Sequence, residues 1–382
     1  MVGVDMKKIF LLAAMLLFAI WFCPASVRAE VPSVSAQSAI LIEAQSGKIL
    51  YAKNENVKRP IASTTKILTT LLCLESGDLD EPFVVDPEAI KVEGSSMGLQ
   101  EGDTVTKRAL CYGMLLPSGN DAANVTAVKL AGSLPAFSEM MNKRAQEIGL
   151  HNSYFVTPSG LDAEGHGSTA YDMALLTQAA LKNPDFRAIC SQQTAQLQYG
   201  NPPYDRWLKN SNKLLKYYEG CIGVKTGFTD DAGRCLVSAA ERDGVTLICV
   251  TLKAPDDWSD HTKMFDYGFS LVKNQALPIP ADINAINLVG GTQDRLAIAP
   301  VNEPKASLLE GELEKVTFKV LLKKFVYAPM HTGDTVGEIV YYLDGVELIR
   351  VPLVAQGNAE ALIPVKEPGL LEKLQNLLKK WK

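Results

Sequence analysis

Histidine is scarce, with four in 382 residues, and no Cys-x-x-Cys pair occurs. Little is left from which to build a zinc site of the usual kind, so no metal is expected. Neither a G-x-G-x-x-G string nor a Walker loop is present, which sets nucleotide cofactors aside. A basic excess is missing too: 38 Lys and Arg face 43 Asp and Glu, a net charge of −5. Nucleic acid is therefore not an expected partner. With 47% hydrophobic and 21% charged residues, the balance is that of a globular chain, neither disordered nor multi-spanning. The length allows about two domains.

The two ends carry their own signals. Lys7 and Lys8 precede an apolar run from Ile9 to Phe22, followed by Pro24 and the small-x-Ala string Val27-Arg28-Ala29. That order is the pattern of a secretory signal peptide over 1–29, cleaved after Ala29. An uncleaved anchor is the alternative, although the run is short for a span. Loss of Lys7, Lys8, Arg28 and Asp5 would take the net charge from −5 to −7. At the other end, Leu370, Leu371, Leu374, Leu377, Leu378 and Trp381 fall at helical spacing, opposite Lys373, Lys379, Lys380 and Lys382. A basic amphipathic helix over 368–382 suits the plane of an anionic membrane surface, or else docks on its own protein. Six cysteines follow the leader: Cys73, Cys111, Cys190, Cys221, Cys235 and Cys249. Most sit in apolar strings, so they read as buried free thiols rather than bridges.

Between the ends the texture changes once. Apolar runs 39–42 and 48–52 flank Ser46-Gly47 and predict a hairpin. Helical patterns cover 61–76, 107–116, 121–131, 135–148 and 170–181. Strands are expected near 221–228, 233–241 and 245–253, with a helix over 258–273. Strands, then helices, then antiparallel strands and a helix predict an α+β fold, a helical cluster against one antiparallel sheet, over 30–275. From Leu277-Pro278-Ile279-Pro280 onward, short apolar runs alternate with Gly, Pro and Asn turns, predicting a small all-β domain over 276–367. No reactive residues cluster in it.

Three short motifs carry chemistry. Ser63-Thr64-Thr65-Lys66 opens the first strong helix, and i, i+3 spacing puts hydroxyl and amine on one face. A helix N-terminus favours a developing oxyanion, and a lysine can act as base only if burial or a second cation lowers its pKa. Ser118-Gly119-Asn120 holds a hydroxyl and an amide on a turn between helices. Lys225-Thr226-Gly227 sets a cation, a hydroxyl and bare backbone along a sheet edge where an extended peptide can add as a strand. Singly, each reads equally well as an ordinary helix cap or strand end.

Order and spacing change that. Ser-x-x-Lys, Ser-x-Asn 55 residues later and Lys-Thr-Gly at 225 form the signature set of penicillin-recognising serine enzymes. With Arg59-Pro60-Ile61-Ala62, Ser159-Gly160-Leu161-Asp162, His166-Gly167-Ser168-Thr169-Ala170 and Ala232-Gly233-Arg234, the chain resembles the D-alanyl-D-alanine carboxypeptidases. These are low-molecular-mass penicillin-binding proteins of the penicillin-binding protein 5 type. The resemblance covers roughly 34–273. It implies a β-lactamase/transpeptidase-like domain, then a small all-β domain and a C-terminal amphipathic helix.

The resemblance also implies roles. Ser63 would attack the carbonyl between the terminal D-alanines of a peptidoglycan stem peptide, giving an acyl-enzyme that water hydrolyses without any cofactor. Lys66 would take its proton, Ser118 would protonate the leaving D-alanine, and Asn120 would orient the acyl-side amide. Lys225 would keep the site electropositive and Thr226 would receive the terminal carboxylate, with Gly227 leaving the peptide room. Backbone N–H groups of Ser63 and Phe228 would form the oxyanion hole. β-Lactams would be covalent inhibitors, and the enzyme would be exported and held peripherally on the outer face of the cytoplasmic membrane through 368–382. Two departures stand out: Phe228 replaces a histidine that some relatives carry, and 254–261 has no arginine to grip the substrate carboxylate, leaving Lys225 or Arg234. Rival readings are a β-lactamase, which needs an added carboxylate on the 157–169 loop, a cross-link endopeptidase, and a non-catalytic wall-binding protein.

Overall fold

In the computed structural model, residues 30–362 are described. The expected leader (1–29), the terminal helix (368–382) and the last five positions of the expected β-domain lie outside them.

The first strand, Ser38–Glu43 (β1), is buried along its whole length and pairs with Ile49–Lys53 (β2) in an antiparallel hairpin. Its side chains divide by the two-residue period of a strand. Ile40 and Ile42 enter a core shared with the helical cluster, while Ala39 and Leu41 enter a second core against the last helix. A 3-10 turn, Ala62–Thr65, leads into Lys66–Glu75 (α1), so the expected helix over 61–76 is α-helical only from Lys66. The short pair Phe83–Val84 (β3) and Thr104–Val105 (β4) brackets the loop that reaches the site.

Four helices follow: Lys107–Leu115 (α2), Asn120–Ala131 (α3), Leu134–Ile148 (α4) and Ala170–Leu181 (α5). Each agrees with its sequence pattern to within a residue or so. Thr106, Ser133 and Thr169 cap α2, α4 and α5 by accepting from backbone N–H groups three residues on. Pro184–Cys190 (α6), the ribbon Thr194–Gly200 (β5) with Pro203–Lys209 (β6), and the single turn Leu214–Tyr217 (α7) complete this side.

The chain then returns to the sheet as Cys221–Thr229 (β7), Gly233–Arg242 (β8) and Val245–Leu252 (β9). The sheet is antiparallel with order β2-β1-β9-β8-β7, which leaves β7 as an edge strand. Asp257–Leu271 (α8) covers the face opposite the helical cluster through Met264 and Phe265. The helix ends two residues short of its expected limit because Val272–Ala276 (β10) pairs as a strand with Lys305–Leu309 (β13).

Ala285–Val289 (β11) and Arg295–Pro300 (β12) precede β13, and four strands follow it. These are Val316–Leu322 (β14), Val326–Tyr327 (β15), Thr335–Leu343 (β16) and Val346–Ala355 (β17). They form a six-stranded sheet of order β14-β16-β17-β12-β11-β15, over its own core of Leu288, Ile298, Ile339, Tyr341 and Leu353 among others. Among the described residues the six cysteines are unbridged, no helix is long and apolar enough to cross a membrane, and no acidic, cysteine and histidine cluster could hold a metal.

His261 fastens α8 to the sheet. It is fully buried, touches Ser238 Oγ through Nδ1, and lies 2.9 Å from Thr251 Oγ1 through Nε2. Burial pushes its pKa down to about 3, so the folded protein keeps this ring neutral. The unfolded chain takes up that proton near the usual pKa of about 6.5. Stability is therefore fully present above that value and declines as pH falls toward 3. Urea unfolding should show a lower midpoint at about pH 5 than at about pH 7, and His261→Gln should reduce the difference. A pH dependence left unchanged by that substitution would contradict the assignment.

Candidate active site

The turn that carries Ser63 is stapled by its own threonines. Thr64 Oγ1 donates to Ile61 O at 2.6 Å and Thr65 Oγ1 to Ala62 O at 2.8 Å. The tight path forces Ala62 into the left-handed region, with φ 48°. Ser63 is left half-buried amid fully buried neighbours. Lys66 begins α1 with no solvent exposure. Its Nζ lies 2.8 Å from Ser63 Oγ, 2.7 Å from Asn120 Oδ1 and 2.6 Å from the Ser159 carbonyl oxygen.

The second motif approaches from the helical cluster. Ser118 is buried with φ 67°, and Asn120 is the first residue of α3. Asn120 spans two walls, since its Nδ2 also donates to Glu93 O at 2.7 Å. Neighbouring Asp121 holds the 96–99 loop, its carboxylate accepting from the N–H groups of Met97, Gly98 and Leu99 and from Ser96 Oγ.

The third motif lies on edge strand β7. Lys225 is almost wholly buried and donates to Ser118 Oγ at 2.9 Å and to Thr226 O at 2.6 Å. Gly227 serves a different neighbour from the one expected. A Cβ there would stand 3.0 Å from Ile61 O and 3.1 Å from Ser63 N, so the bare position admits the Ser63 turn itself. Phe228 is 64% exposed at the rim and faces Arg234 across the β7–β8 pair. Arg234 is not a free cation for a substrate carboxylate. It grips the buried Asp257 at 2.6 and 2.9 Å and stacks over Trp258.

The sequence reading missed three contributors on the loop between α4 and α5. Ser159 acts through its carbonyl, which no side-chain pattern discloses. Gly160, with φ 84°, presses so close that a Cβ would lie 2.0 Å from Ala62 O. His166 Nδ1 accepts from Val156 N and Thr157 N at 3.0 and 3.3 Å, and Nε2 lies 2.9 Å from Thr65 Oγ1. Two acceptor contacts at Nδ1 place the ring proton on Nε2, which then donates to Thr65. Burial, then the Lys58 cation, pushes this histidine down to about 4. The string around Gly160 and His166 marked the resemblance, but its contacts were not legible.

Two buried lysines within one site cannot both stay charged. Lys66 is held well below an ordinary lysine, first by burial and then by the Lys225 cation, with Asp121 opposing. Burial alone takes Lys225 down to about 7. A neutral Lys66 amine has two N–H donors and one lone pair. The donors match Asn120 and Ser159, and the lone pair faces the Ser63 hydroxyl. The arrangement can therefore deprotonate a serine beside a cation.

A family model described as D-alanyl-D-alanine carboxypeptidase matches residues 25–256, and one for the penicillin-binding protein 5 C-terminal domain matches 273–361. The D-alanyl-D-alanine carboxypeptidase DacF of Bacillus subtilis is 32% identical over 357 residues, covering 91% of this chain and 90% of the relative. Among solved structures, the carboxypeptidase DacD of Francisella tularensis matches at TM-score 0.63 and 25% identity, over 90% of this chain and 98% of that one. The Streptomyces K15 DD-transpeptidase matches at TM-score 0.61 and 33% identity, over 63% of this chain and 100% of its own. The chain belongs to the D-alanyl-D-alanine carboxypeptidase family, and it is a serine-type enzyme of peptidoglycan metabolism built on the penicillin-binding protein 5 plan.

Proposed function

We propose that Ser63 is the nucleophile that removes the terminal D-alanine from peptidoglycan stem peptides through an acyl-enzyme, and that penicillin acylates the same oxygen. The carrying observation is the Lys66 amine, 2.8 Å from Ser63 Oγ, with Asn120 and Ser159 oxygens at its other donors. Ser63 Oγ attacks the carbonyl between the D-alanines and its proton passes to Lys66. The oxyanion is held by the N–H groups of Ser63 and Phe228, each worth about 10²–10³ in rate in comparable sites. Ser118, already accepting from Lys225, gives a proton to the departing amine and is replenished from the lysines. The terminal carboxylate binds Thr226 and the Lys225 cation. Water then attacks the ester and Ser63 leaves with the proton returned.

A β-lactamase role is disfavoured by what stands beside Lys66. Class A β-lactamases place a glutamate there to drive deacylation. Here the loop meets Lys66 with the Ser159 carbonyl, and Asp162, the next carboxylate along that loop, accepts from Thr229 Oγ1 at 3.0 Å. Penicillin should therefore acylate once and leave slowly. Intact-mass analysis of the protein with penicillin should give one stable adduct, absent in Ser63→Ala. D-alanine release from a D-Ala-D-Ala tripeptide should fall about 10⁴–10⁶-fold in the same variant. Rapid penicillin hydrolysis, or an adduct surviving Ser63→Ala, would refute the reading.

The two lysines set the pH dependence. Lys66 must be neutral to accept a proton, whereas Lys225 must be charged to hold a carboxylate. In the free enzyme Lys225 loses its proton at about 7, so kcat/KM should fall on the alkaline side of that value. A bound carboxylate favours the charged form, so the limb in kcat should lie at higher pH. Lys225→Arg keeps its charge throughout and should lack the limb. A wild-type kcat/KM that stays level from about pH 6 to about pH 9 would argue against these roles.

Export and attachment to the outer face of the cytoplasmic membrane are also proposed, on the leader pattern of 1–29 and the basic amphipathic spacing of 368–382. Deleting 368–382 should move the enzyme from the membrane fraction to the soluble one while soluble-peptide activity persists. Retention on membranes after the deletion would dismiss this segment as the anchor.

A further inference from the structure

Two buried side-chain nitrogens have no hydrogen-bond partner among the described residues, Arg206 Nε and Asn212 Nδ2. The first is one corner of a guanidinium that is otherwise engaged. Its other nitrogens reach Gly98 O and Asp103, and the Tyr199 and Tyr204 rings stack on it. Asn212 has no such cover. It is 3% exposed, and its Oδ1 accepts from Leu214 N at 3.0 Å. Because that bond fixes the oxygen, the unpartnered end of the amide is a donor. A buried donor left unpaired is costly, and native structures seldom keep one without cause.

Asn212 lines a cavity of about 370 Å³ between the end of the β5–β6 ribbon and α7. What surrounds it is cationic. Lys209, Lys213 and Lys216 line the same cavity, all exposed and in no ion pair among the described residues, and no acidic residue lines it. This cluster stands in a chain whose net charge is −5. Thr194 adds a hydroxyl, and Tyr217 stands beside it 71% exposed. Thr194 pairs with Lys209 across the ribbon and Gln196 with Trp207. By the two-residue alternation of a strand, Trp207, 70% exposed, therefore shares a face with Lys209. The cavity wall is also fastened to the second catalytic motif. Ser211 donates from N and from Oγ to Leu116 O, at 3.1 and 3.2 Å, two residues ahead of Ser118.

Three ammonium groups and an amide donor, with no charged acceptor among them, select an anion. Two exposed aromatic faces nearby suit flat, partly apolar rings such as those of sugars. Peptidoglycan combines both chemistries, with sugar rings in its strand and carboxylates on its stem peptides. We propose that this cavity is a second binding site for the polymer, outside the cleft, which takes a carboxylate of one stem peptide while another stem reacts at Ser63. The assignment rests on the carboxypeptidase reading and specifies the form of substrate, the strand rather than the free peptide. It also answers the lack of an arginine over 254–261. Grip that the cleft does not give a short peptide is given to a strand, because two linked contacts reinforce each other.

The test compares D-alanine release from soluble, uncross-linked peptidoglycan strands with pentapeptide stems and from diacetyl-L-lysyl-D-Ala-D-Ala. In the full-length enzyme, reversing all three charges together (Lys209→Glu, Lys213→Glu, Lys216→Glu) should raise KM on strands about tenfold, the scale of a few exposed charge pairs. Tripeptide kcat/KM and penicillin acylation should stay within about twofold. Asn212→Asp keeps the acceptor for Leu214 N–H but puts a negative charge where the donor stood, and should cost strand turnover about three- to fivefold. Added salt should erode the preference of the wild-type enzyme for strands and leave the triple variant unmoved. Reversing Lys319, Lys323 and Lys324, exposed lysines of the C-terminal β-domain, should change neither substrate. Strand turnover that survives the triple reversal, equal losses on strand and tripeptide, or matching losses in the β-domain variant would each overturn the site. So would inhibition of strand turnover by poly(glycerol phosphate) but not by strands already trimmed of D-alanine, which would assign the cavity to a phosphate polymer instead. Failure of the carboxypeptidase reading has a separate signature: wild-type enzyme that releases no D-alanine from either substrate and forms no penicillin adduct.

Discussion

The Lys66 amine is enclosed by three oxygens that come from three separate parts of the chain: the turn at Ser63, the start of α3 at Asn120, and the 154–161 loop at Ser159. A buried ammonium is expensive, and relief comes either from anionic partners or from giving up the proton. Among the described residues no carboxylate touches this one, and Lys225 adds repulsion, so the proton is what yields. The site thus depends on a desolvation that persists only while all three walls stay closed around the amine. Opening any wall to water would restore an ordinary, charged lysine unable to act as base.

Much of the first domain can be understood as the holding of those walls. The Asn120 wall is fixed twice, by Glu93 O on its amide and by Ser95 O on its N–H. The loop that supplies these carbonyls is tied down by Asp121 and by Tyr199, whose hydroxyl donates to Met97 O at 2.7 Å. The Ser159 wall leans on the Ser63 turn through Gly160 and is joined to it by the relay His166–Thr65–Ala62. Edge strand β7 closes the last side because Gly227 lets it abut Ser63 without a side chain between them.

Elements with local causes were legible in the sequence. The buried run of β1 and the capped helices α2, α4 and α5 follow from patterns of a few residues, and so do the three motifs that the fold brings together at the candidate site. What stayed hidden depends on distant pairing or on the main chain. Ser159 contributes a carbonyl, for which any residue type would serve as a label. Arg234 looked available to a substrate, but its partner Asp257 lies 23 residues away and reaches it only through the sheet–helix junction. The glycine at 227 was recognised as a clearance, although the object it clears is the protein's own turn. The end of the helix before Val272 could not be read either, because strand β13 captures that segment from more than thirty residues downstream.

Part of the backbone strain lies in the same place. Among the described non-glycine residues with positive φ, Asn54, Asp78, Asp243 and Asp344 are types that tolerate it, but Ala62, Ser118 and Lys253, just past the end of β9, are not, and the first two belong to the candidate site. Each left-handed residue with a Cβ costs roughly 1–2 kcal/mol. A glycine at 118 would relieve that strain and delete the hydroxyl in one step. With Ser118 in the proton-donating role proposed above, selection for thermal resistance alone would drift toward inert variants, and a directed-evolution campaign on this enzyme needs a catalytic screen at every round.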